Sequence, residues 1–345
     1  VLFRSVASAI LALGEHLNAN GRLIIDSLIL GIDVACRIAN AMHPDHYLRG
    51  WHSTGSTGML GSAAACSRLM GLDTQQTTMA LGIAASQPIG IREQFGTMTK
   101  PFHPGGAGRA GQLSALLAKH GFTASPRALE ANRGYMQTVS TKCDWSEINR
   151  ALGKTFEISV NTYKPFACGV VIHPAIDACA QLRAQGVKAD DVERIELRVH
   201  PLVLELTGKK TPKDGLEGKF SVYHGCAVGL IFGQAGQGEY ADEIVNRPDV
   251  VALRTKVNAT TDSSISEASV DVKAILKDGK EIHIFVQHAI GSVENPMSDV
   301  NLEQKFTSLT EPVIGTEKTR QLIAALWKLG DAPDLKKILS LCTPN

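Results

Sequence analysis

The sequence carries one histidine in a setting that suits acid–base chemistry. His52 lies in residues 50–55 (GWHSTG), among glycines and hydroxyl side chains and outside any apolar periodic run. An imidazole titrates near neutral pH, so it can accept or donate a proton in a reaction. Ser53, directly beside it, is a candidate substrate-binding group. The residues alone leave two interpretations of His52 open, a general acid or base and a structural histidine that bonds a turn.

A cation and a second imidazole follow in residues 98–106 (MTKPFHPGG). Lys100 precedes a proline, and a lysine fixed in this way suits the binding of a carboxylate. His103 could supply further positive charge. The Pro and Gly content predicts a turn here, with a helix beginning at residue 105. An ordinary surface lysine is the alternative interpretation of Lys100.

A second lysine before a proline occurs further along the chain. Lys164 lies in residues 163–169 (YKPFACG). Tyr223 lies in residues 219–225 (KFSVYHG) at a predicted helix start, where a tyrosine can hydrogen-bond an anion or move a proton. A tyrosine of the core is the alternative. Cys168 lacks a Cys/His spacing that would make it a nucleophile, which favours a buried thiol.

No motif for a nucleotide, a metal or an organic cofactor is present. The sequence lacks the P-loop, HExxH, EF-hand and GxSxG patterns. GAGRAG at residues 106–111 matches GxGxxG without a preceding strand, so we interpret its glycines as positions of close helix packing. The net charge is +1 and no basic block occurs. The chain is therefore predicted to use no cofactor or metal and to bind no nucleic acid.

Cysteine usage and hydropathy predict a cytoplasmic protein without a membrane span. The seven cysteines form no CxxC pair and lie mostly in apolar, helix-like sequence, which indicates reduced, buried thiols. Residues 23–42 are the most apolar stretch, but Asp26, Asp33 and Arg37 interrupt it. A buried helix is therefore expected there. The chain starts at Val1, and no signal peptide is visible.

Helical patterns dominate the first 150 residues. Apolar residues recur close to every 3.6 positions across residues 21–42, and Asp73 is placed to cap a helix over residues 74–85. Small residues predict a further helix over residues 105–119 and a short one over residues 124–134. This part of the chain is expected to be almost wholly α.

The pattern changes near Phe156. Polar and apolar residues alternate over residues 192–199, 268–276 and 281–287, which predicts strands, and an Asp-Gly pair between the last two predicts a hairpin. Helical sequence returns after residue 297. These patterns predict a helical scaffold and an α+β segment. They leave open whether the last helices pack back on the first.

The sequence resembles the MmgE/PrpD family in six motifs that occur in order. They read GWHSTGSTG, LGIAASQPIG, FGTMTKPFHPGGAGRAG, YKPFACGVVIHPAIDA, KFSVYHG and GSVENPMSDVNLEQKF. The resemblance extends over about residues 13–341. This family includes 2-methylcitrate dehydratases, cis-aconitate decarboxylases and iminodisuccinate epimerases.

The resemblance implies a mainly α fold with an α+β insertion. A large all-helical domain would be formed by both chain ends, residues 1–157 and 297–345. A smaller α+β lid domain would comprise residues 158–296. The resemblance also implies a homodimer, small di- or tricarboxylate substrates, no metal or organic cofactor, and an active site between the two domains.

The family motifs also assign roles to single residues. The implied catalytic groups are His52, Lys100 and Tyr223. Lys164 is the implied lysine of the lid, and with His103 and Ser53 it completes the substrate-binding set.

Two departures from the family pattern bear on activity. Decarboxylase members carry a histidine five residues after the lid lysine, and Gly169 stands there in this sequence, which disfavours decarboxylation. The helical domain of the family starts upstream of Val1, in a segment that carries an acidic residue and a histidine of the active site. We therefore expect an N-terminally truncated chain.

The expected activity is that of a carbon–oxygen lyase that dehydrates a small tricarboxylate such as 2-methylcitrate. A base would remove the proton α to a carboxylate, and cations would stabilise the charge that develops. Two alternatives stay open. One is an epimerase of a dicarboxylate such as iminodisuccinate, which returns the proton without losing water. The other is a catalytically impaired fragment that binds carboxylates.

Overall fold

A computed structural model describes residues 3–344, and these residues belong to two compact units. The first unit combines the chain up to residue 161 with the chain from residue 314 onward, and the second comprises residues 162–313. The domain boundaries predicted after residues 157 and 296 stay predictions. The chain is mostly helical with one small sheet, which confirms the mainly α class.

Helices of very different length build the first unit. They are α1 (Phe3–His16), α2 (Gly21–Met42), α3 (Asp45–Leu48), α4 (Ser53–Ser56), α5 (Gly58–Leu69), α6 (Thr74–Ala85), α7 (Thr99–Lys119), α8 (Tyr135–Val139), α9 (Ser146–Asn149), α17 (Thr316–Trp327) and α18 (Lys336–Leu341). Helix α6 begins as its sequence predicts, because the Asp73 carboxylate accepts from the Gln76 N–H and the Gln76 side chain accepts from the Asp73 N–H.

Helix α5 is the centre of this unit. Every residue of α5 except Arg68 is buried, and α1, α2, α6 and α7 all pack against it. Small side chains allow this close approach. A Cβ atom on Gly111 of α7 would lie 2.6 Å from both the Met59 carbonyl oxygen and the Ala63 nitrogen. The glycines of residues 106–111 therefore serve helix packing, as predicted.

A buried ion pair ties α2 to the chain that follows α9. Arg37 Nε donates to Asp33 Oδ2 at 2.7 Å, and both side chains are buried. The remaining guanidinium nitrogens donate to the carbonyls of Arg150 and Thr155, each at 2.7 Å. Asp33 Oδ1 accepts from the Glu157 N–H at 2.9 Å. Two of the three charges that interrupt the apolar stretch, Asp33 and Arg37, are thus satisfied inside the unit.

The second unit contains a four-stranded mixed sheet in the order β2-β1-β3-β4. Its strands are β1 (Val192–Val199), β2 (Val257–Thr261), β3 (Val270–Leu276) and β4 (Glu281–Val286). Strands β3 and β4 form the predicted antiparallel hairpin, while β2 pairs in parallel with β1. In β3 the buried residues alternate with half-buried ones from Val270 to Ala274, so one face of this part of the strand enters the core, and the strand ends in buried residues.

Helices form much of the rest of the second unit. They are α10 (His173–Ala184), α11 (Pro201–Thr207), α12 (Gly215–Gly218), α13 (Val222–Phe232), α14 (Asp242–Val245), α15 (Pro248–Arg254) and α16 (Asp299–Ile314). Helix α10 packs on β3 and β4, and α13 packs on α10 and β2. Ser221 caps α13 by accepting from the His224 N–H at 3.1 Å.

Three local predictions are wrong. Residues 99–104 continue α7 toward its N-terminus and form no separate turn. Residues 124–134 are turns and bends without a helix. Strand β2 was missed, because the chain leaves α15 at Arg254 and enters the strand within three residues. In each case the tertiary environment outweighs the local propensity.

Candidate functional site

The backbone of His52 is fixed on both sides. Its N–H donates to the Gly90 carbonyl at 3.1 Å, and its own carbonyl accepts from Gly55 at 2.8 Å where α4 begins. The residue is the N-cap of α4, and its side chain is buried. These backbone hydrogen bonds hold His52 at the start of α4, with its imidazole buried in the unit.

The second imidazole of the segment contacts the first directly. His103 lies on α7 and is buried, and its Nδ1 is 2.8 Å from Nδ1 of His52. Gly90 makes this possible from the opposite side. It has φ +97°, and a Cβ atom there would lie 2.9 Å from His103 Nδ1. Only glycine meets both conditions without strain.

Lys100 lies in the first turn of α7, one turn before His103. Its ammonium is 5.0 Å from the centre of the Phe95 ring, close enough for a cation–π contact. The same ring meets His52 edge-on, with 5.0 Å between ring centres. Phe95 thus contacts both the lysine and the imidazole, a role that no sequence spacing revealed.

The two histidines are held neutral. Burial lowers the pKa of His52 to about 3, with further lowering from His103, Lys100 and Arg4. Burial and Lys100 also lower the pKa of His103. No carboxylate contributes to either shift. A neutral imidazole beside fixed positive charge can take a proton from a substrate that brings its own negative charge.

A second layer of contacts supports α4. His46 Nε2 lies 2.7 Å from Ser56 Oγ, and the Tyr135 hydroxyl donates to the Ser56 carbonyl at 2.7 Å. Ser53 is half-buried and its carbonyl accepts from both the N–H and the hydroxyl of Thr57 at 2.9 Å. Its substrate-binding role stays a prediction.

Lys164 belongs to the second unit, in an exposed position. Its ammonium donates to the Cys168 carbonyl at 3.0 Å, so the side chain folds back over its own loop. Cys168 is a buried thiol, as predicted, and burial raises its pKa to about 12. His173 begins α10 and is buried, and its Nε2 atom has no hydrogen-bond partner within residues 3–344.

Tyr223 also belongs to the second unit. It is the second residue of α13 and is buried, and burial raises the pKa of its hydroxyl. The ammonium of Lys210 lies 5.8 Å from its ring centre. This geometry is consistent with a tyrosine of the core and with one that meets an anion. The catalytic role stays a prediction.

Of the six predicted site residues, the structure brings His52, His103 and Lys100 into one cluster. Within residues 3–344, no group of three or more His, Cys, Asp and Glu side chains is placed to hold a metal ion. No helix of the described chain is both long and apolar enough to cross a bilayer.

Comparison with known proteins agrees with this fold and these motifs. The model of the MmgE/PrpD N-terminal domain matches residues 4–148, and that of the MmgE/PrpD C-terminal domain matches residues 166–329. Together they account for most of the chain. The protein belongs to the MmgE/PrpD family.

Similar proteins include two kinds of lyase. The chain is 24% identical to a cis-aconitate decarboxylase-like protein of Aspergillus oryzae, over 91% of this chain and 70% of that one. It is 25% identical to the cis-aconitate decarboxylase of Aspergillus terreus, over 97% and 74%. It is 26% identical to the 2-methylcitrate dehydratase of Salmonella typhimurium, over 57% and 43%. These similarities support lyase-type chemistry on small carboxylates at a coarse level.

Proposed function

We propose that this protein is a carbon–oxygen lyase that removes water from a small tricarboxylate such as 2-methylcitrate, without a cofactor. The observation that carries this proposal is the buried His52, which stays neutral beside Lys100 with no carboxylate acting on its pKa. A neutral base next to a fixed cation suits the removal of a proton α to a carboxylate.

The proposed reaction has two chemical demands. His52 takes the α-proton, and the electrons of the broken C–H bond pass into the adjacent carboxylate. Lys100 stabilises the resulting dianion electrostatically, a contribution that is typically worth about 10²–10³ in rate for one donor. The hydroxyl then takes a proton from an acid of the site as its C–O bond breaks, the electrons held by the carboxylate form the C=C bond, and water leaves.

Lys164 and Tyr223 take roles that rest on the resemblance of their motifs. Lys164 would bind a substrate carboxylate, and Tyr223 would assist the leaving hydroxyl or orient the substrate. Ser53 would hydrogen-bond the substrate. The test of all three is kinetic, since removal of a group that only binds substrate raises KM while kcat stays nearly unchanged.

Decarboxylation is the second candidate. It is favoured by the larger share of this chain that aligns with a decarboxylase. The fungal cis-aconitate decarboxylase aligns with 97% of this chain, whereas the bacterial dehydratase aligns with 57%. The glycine at position 169 opposes it, because the decarboxylase motif has a histidine there. A Cβ atom on Gly169 would lie 3.2 Å from Thr207 Cγ2, so the space beside this glycine is small.

The experiment incubates the protein with 2-methylcitrate, citrate, cis-aconitate and iminodisuccinate in deuterium oxide and follows the products by proton NMR. Loss of water from a tricarboxylate supports the proposal. Release of carbon dioxide from cis-aconitate supports the decarboxylase, and α-deuteration without an alkene supports an epimerase. A carboxylate-dependent thermal shift without turnover would point to a protein that only binds carboxylates.

Two features of the whole protein stay proposals. A homodimer is expected from the family, and light scattering of the purified chain would measure its mass. A cytoplasmic location is expected from the absence of paired cysteines, and fractionation of the source cells would test it.

A further inference from the structure

The contact between the two histidines fixes the number of protons that they share. Nδ1 of His52 and Nδ1 of His103 are 2.8 Å apart, within hydrogen-bond range. Two bare nitrogens at this distance would repel, and two N–H groups would clash. One ring must therefore donate from Nδ1 while the other accepts.

This shared proton sets the state of the other two nitrogens. Both rings have a lowered pKa and are neutral near pH 7, so each carries one proton. The ring that donates at Nδ1 has a bare Nε2, and the ring that accepts at Nδ1 has an Nε2–H. The pair thus holds one basic nitrogen and one acidic N–H.

Both outer nitrogens keep a small exposed area, although the two side chains as a whole are buried. Neither the Nε2 of His52 nor that of His103 hydrogen-bonds to a residue of the described chain, and neither belongs to the buried polar atoms without a partner. Each is therefore accessible to solvent or to a small ligand. The Nε2 of His173 differs, because it is both unpartnered and buried.

We propose that His52 and His103 form one neutral acid–base unit in which the bare Nε2 of one ring removes the substrate proton and the Nε2–H of the other protonates the leaving hydroxyl. This inference rests on the proposed function. It gives His103 a proton-transfer role, whereas the sequence assigned it to substrate binding.

The proton transfers balance without charging the pair. His52 Nε2 gains the α-proton as the C–H bond breaks, and the bridging proton moves from His52 Nδ1 to His103 Nδ1. His103 Nε2 then loses its proton to the hydroxyl, the C–O bond breaks, the C=C bond forms, and one water leaves. Both rings end neutral with their tautomers exchanged, and proton exchange with solvent restores the starting state.

The groups around the pair favour this neutral state. Lys100 faces it from α7 and Arg4 from α1, while the Phe95 ring packs against His52. Lys100 and Arg4 oppose a second proton on His52, and Lys100 also opposes one on His103. The pair can therefore transfer protons while it carries no charge of its own.

The first test reads the tautomers and does not depend on turnover. Nitrogen-15 NMR of histidine-labelled protein, with signals assigned by the His52→Asn and His103→Asn variants, should show both rings neutral and one proton shared by the two Nδ1 atoms. An imidazolium near pH 7, or two unprotonated Nδ1 atoms, would overturn the inference. If this pattern is found in a protein that turns over no carboxylate, the proposed function fails while the proton count of the pair stands.

The second test separates proton transfer from positioning and binding. His103→Asn keeps a hydrogen-bonding group near the position of Nδ1 but has no second ionisable nitrogen. It should lower kcat by about 10²–10⁴, the range for loss of a general acid, with KM nearly unchanged. Full activity of His103→Asn would reduce His103 to a positioning residue, and a raised KM with unchanged kcat would return it to substrate binding. The exposed His120, at the end of α7, provides the control His120→Ala, which should match the wild type.

Discussion

The charge state of His52 follows from its surroundings. The ring is buried, the charged side chains that act on its pKa are the cations Lys100 and Arg4, and its pKa falls to about 3. An imidazole in water loses its basic form as pH falls through about 6.5. His52 keeps its basic form well below that point, so it is available as a base throughout the neutral and mildly acidic range.

A pH titration of the His52 ring tests this directly. Because its pKa lies far below 6.5, its carbon-bound proton signal should stay unchanged from pH 7.5 down to about 5 by proton NMR. Free histidine in the same buffer serves as the reference, because an imidazole in water changes its protonation in this range. A His52 signal that titrates together with that of free histidine would contradict the burial described for the site.

The charge of Lys100 is expected to act in the transition state. Lys100→Ala should lower kcat/KM for the carboxylate substrate by at least about 100-fold, the scale for losing one electrostatic donor. Lys119→Ala is the matched control, because Lys119 is an exposed lysine in the last turn of the same helix. Steady-state kinetics of both variants measure this effect. Equal kcat/KM values for Lys100→Ala and Lys119→Ala would show that Lys100 has no role in the reaction.

Residue types could be read from the sequence, but their contacts could not. His52, Lys100 and His103 were identified as candidates by their unusual surroundings, and the structure brings them together. The Nδ1–Nδ1 contact and the position of Phe95 depend on how α7 lies against α4. No local pattern encodes that placement, because it is a long-range packing outcome.

At the scale of elements, α7 depends on glycine where it crosses α5. Gly111→Ala would place a Cβ atom 2.6 Å from the Met59 carbonyl oxygen and should destabilise the protein by about 1–3 kcal/mol. Gly105→Ala on the same helix meets nothing within 4 Å and should stabilise by about 0.5–1 kcal/mol. Urea unfolding of both variants would show opposite signs. A neutral Gly111→Ala would mean that the two helices can separate without cost.

Helix α2 offers two ion pairs of the same spacing in different environments. Arg37→Met leaves the buried Asp33 carboxylate without its cation and should cost about 3–5 kcal/mol. Arg22→Met removes the exposed pair with Asp26 and should change stability by less than about 1 kcal/mol. Thermal or urea unfolding measures both. Similar losses would show that burial does not set the importance of the Asp33–Arg37 pair.

Elements with strong local signals were predicted best. Asp73 marked the start of α6, and the Asp-Gly turn marked the β3–β4 hairpin. The prolines before residue 105 predict a turn, but α7 begins at Thr99 and includes them. Pro101 lies in the first turn of α7, where the backbone N–H groups have no intrahelical partner, and Pro104 is buried within the helix.

At the scale of the whole molecule, buried neutral histidines couple stability to acid. Burial lowers the pKa of His52 and His173 to about 3 and that of His224 to about 4. The unfolded chain binds protons at these positions below about pH 6.5, whereas the folded chain does not. Their stabilising contribution is therefore complete above pH 6.5 and is lost as pH falls toward 4.

This coupling predicts a steep loss of stability in mild acid. Each of these histidines removes up to about 1.4 kcal/mol of unfolding free energy per pH unit between about pH 6.5 and its folded pKa. Urea midpoints measured from pH 7.5 to 4.5 should therefore fall continuously. His173→Asn removes one of these histidines, so the urea midpoint of this variant should fall less steeply with decreasing pH than that of the wild type. A midpoint that does not change with pH would show that these rings are protonated in the folded protein.

The arrangement of the chain was partly predictable at this scale. Six ordered motifs identified the family. The periodic patterns predicted a helical first part of the chain, followed by a part that contains strands. The sheet order β2-β1-β3-β4 was not predicted. It requires a parallel pairing of β1 with β2, which are separated by some 60 residues. Local sequence patterns do not predict which distant strands will pair.

The central claim is that the protein converts a hydroxylated tricarboxylate to an alkene by proton removal at His52. The most direct measurement is the ultraviolet absorbance of the conjugated alkene after 2-methylcitrate is added to the wild type, to His52→Ala and to the control His120→Ala. We predict an increase for the wild type and the control and none for His52→Ala. An increase of equal rate in all three, or no increase in the wild type at saturating substrate, would contradict the claim.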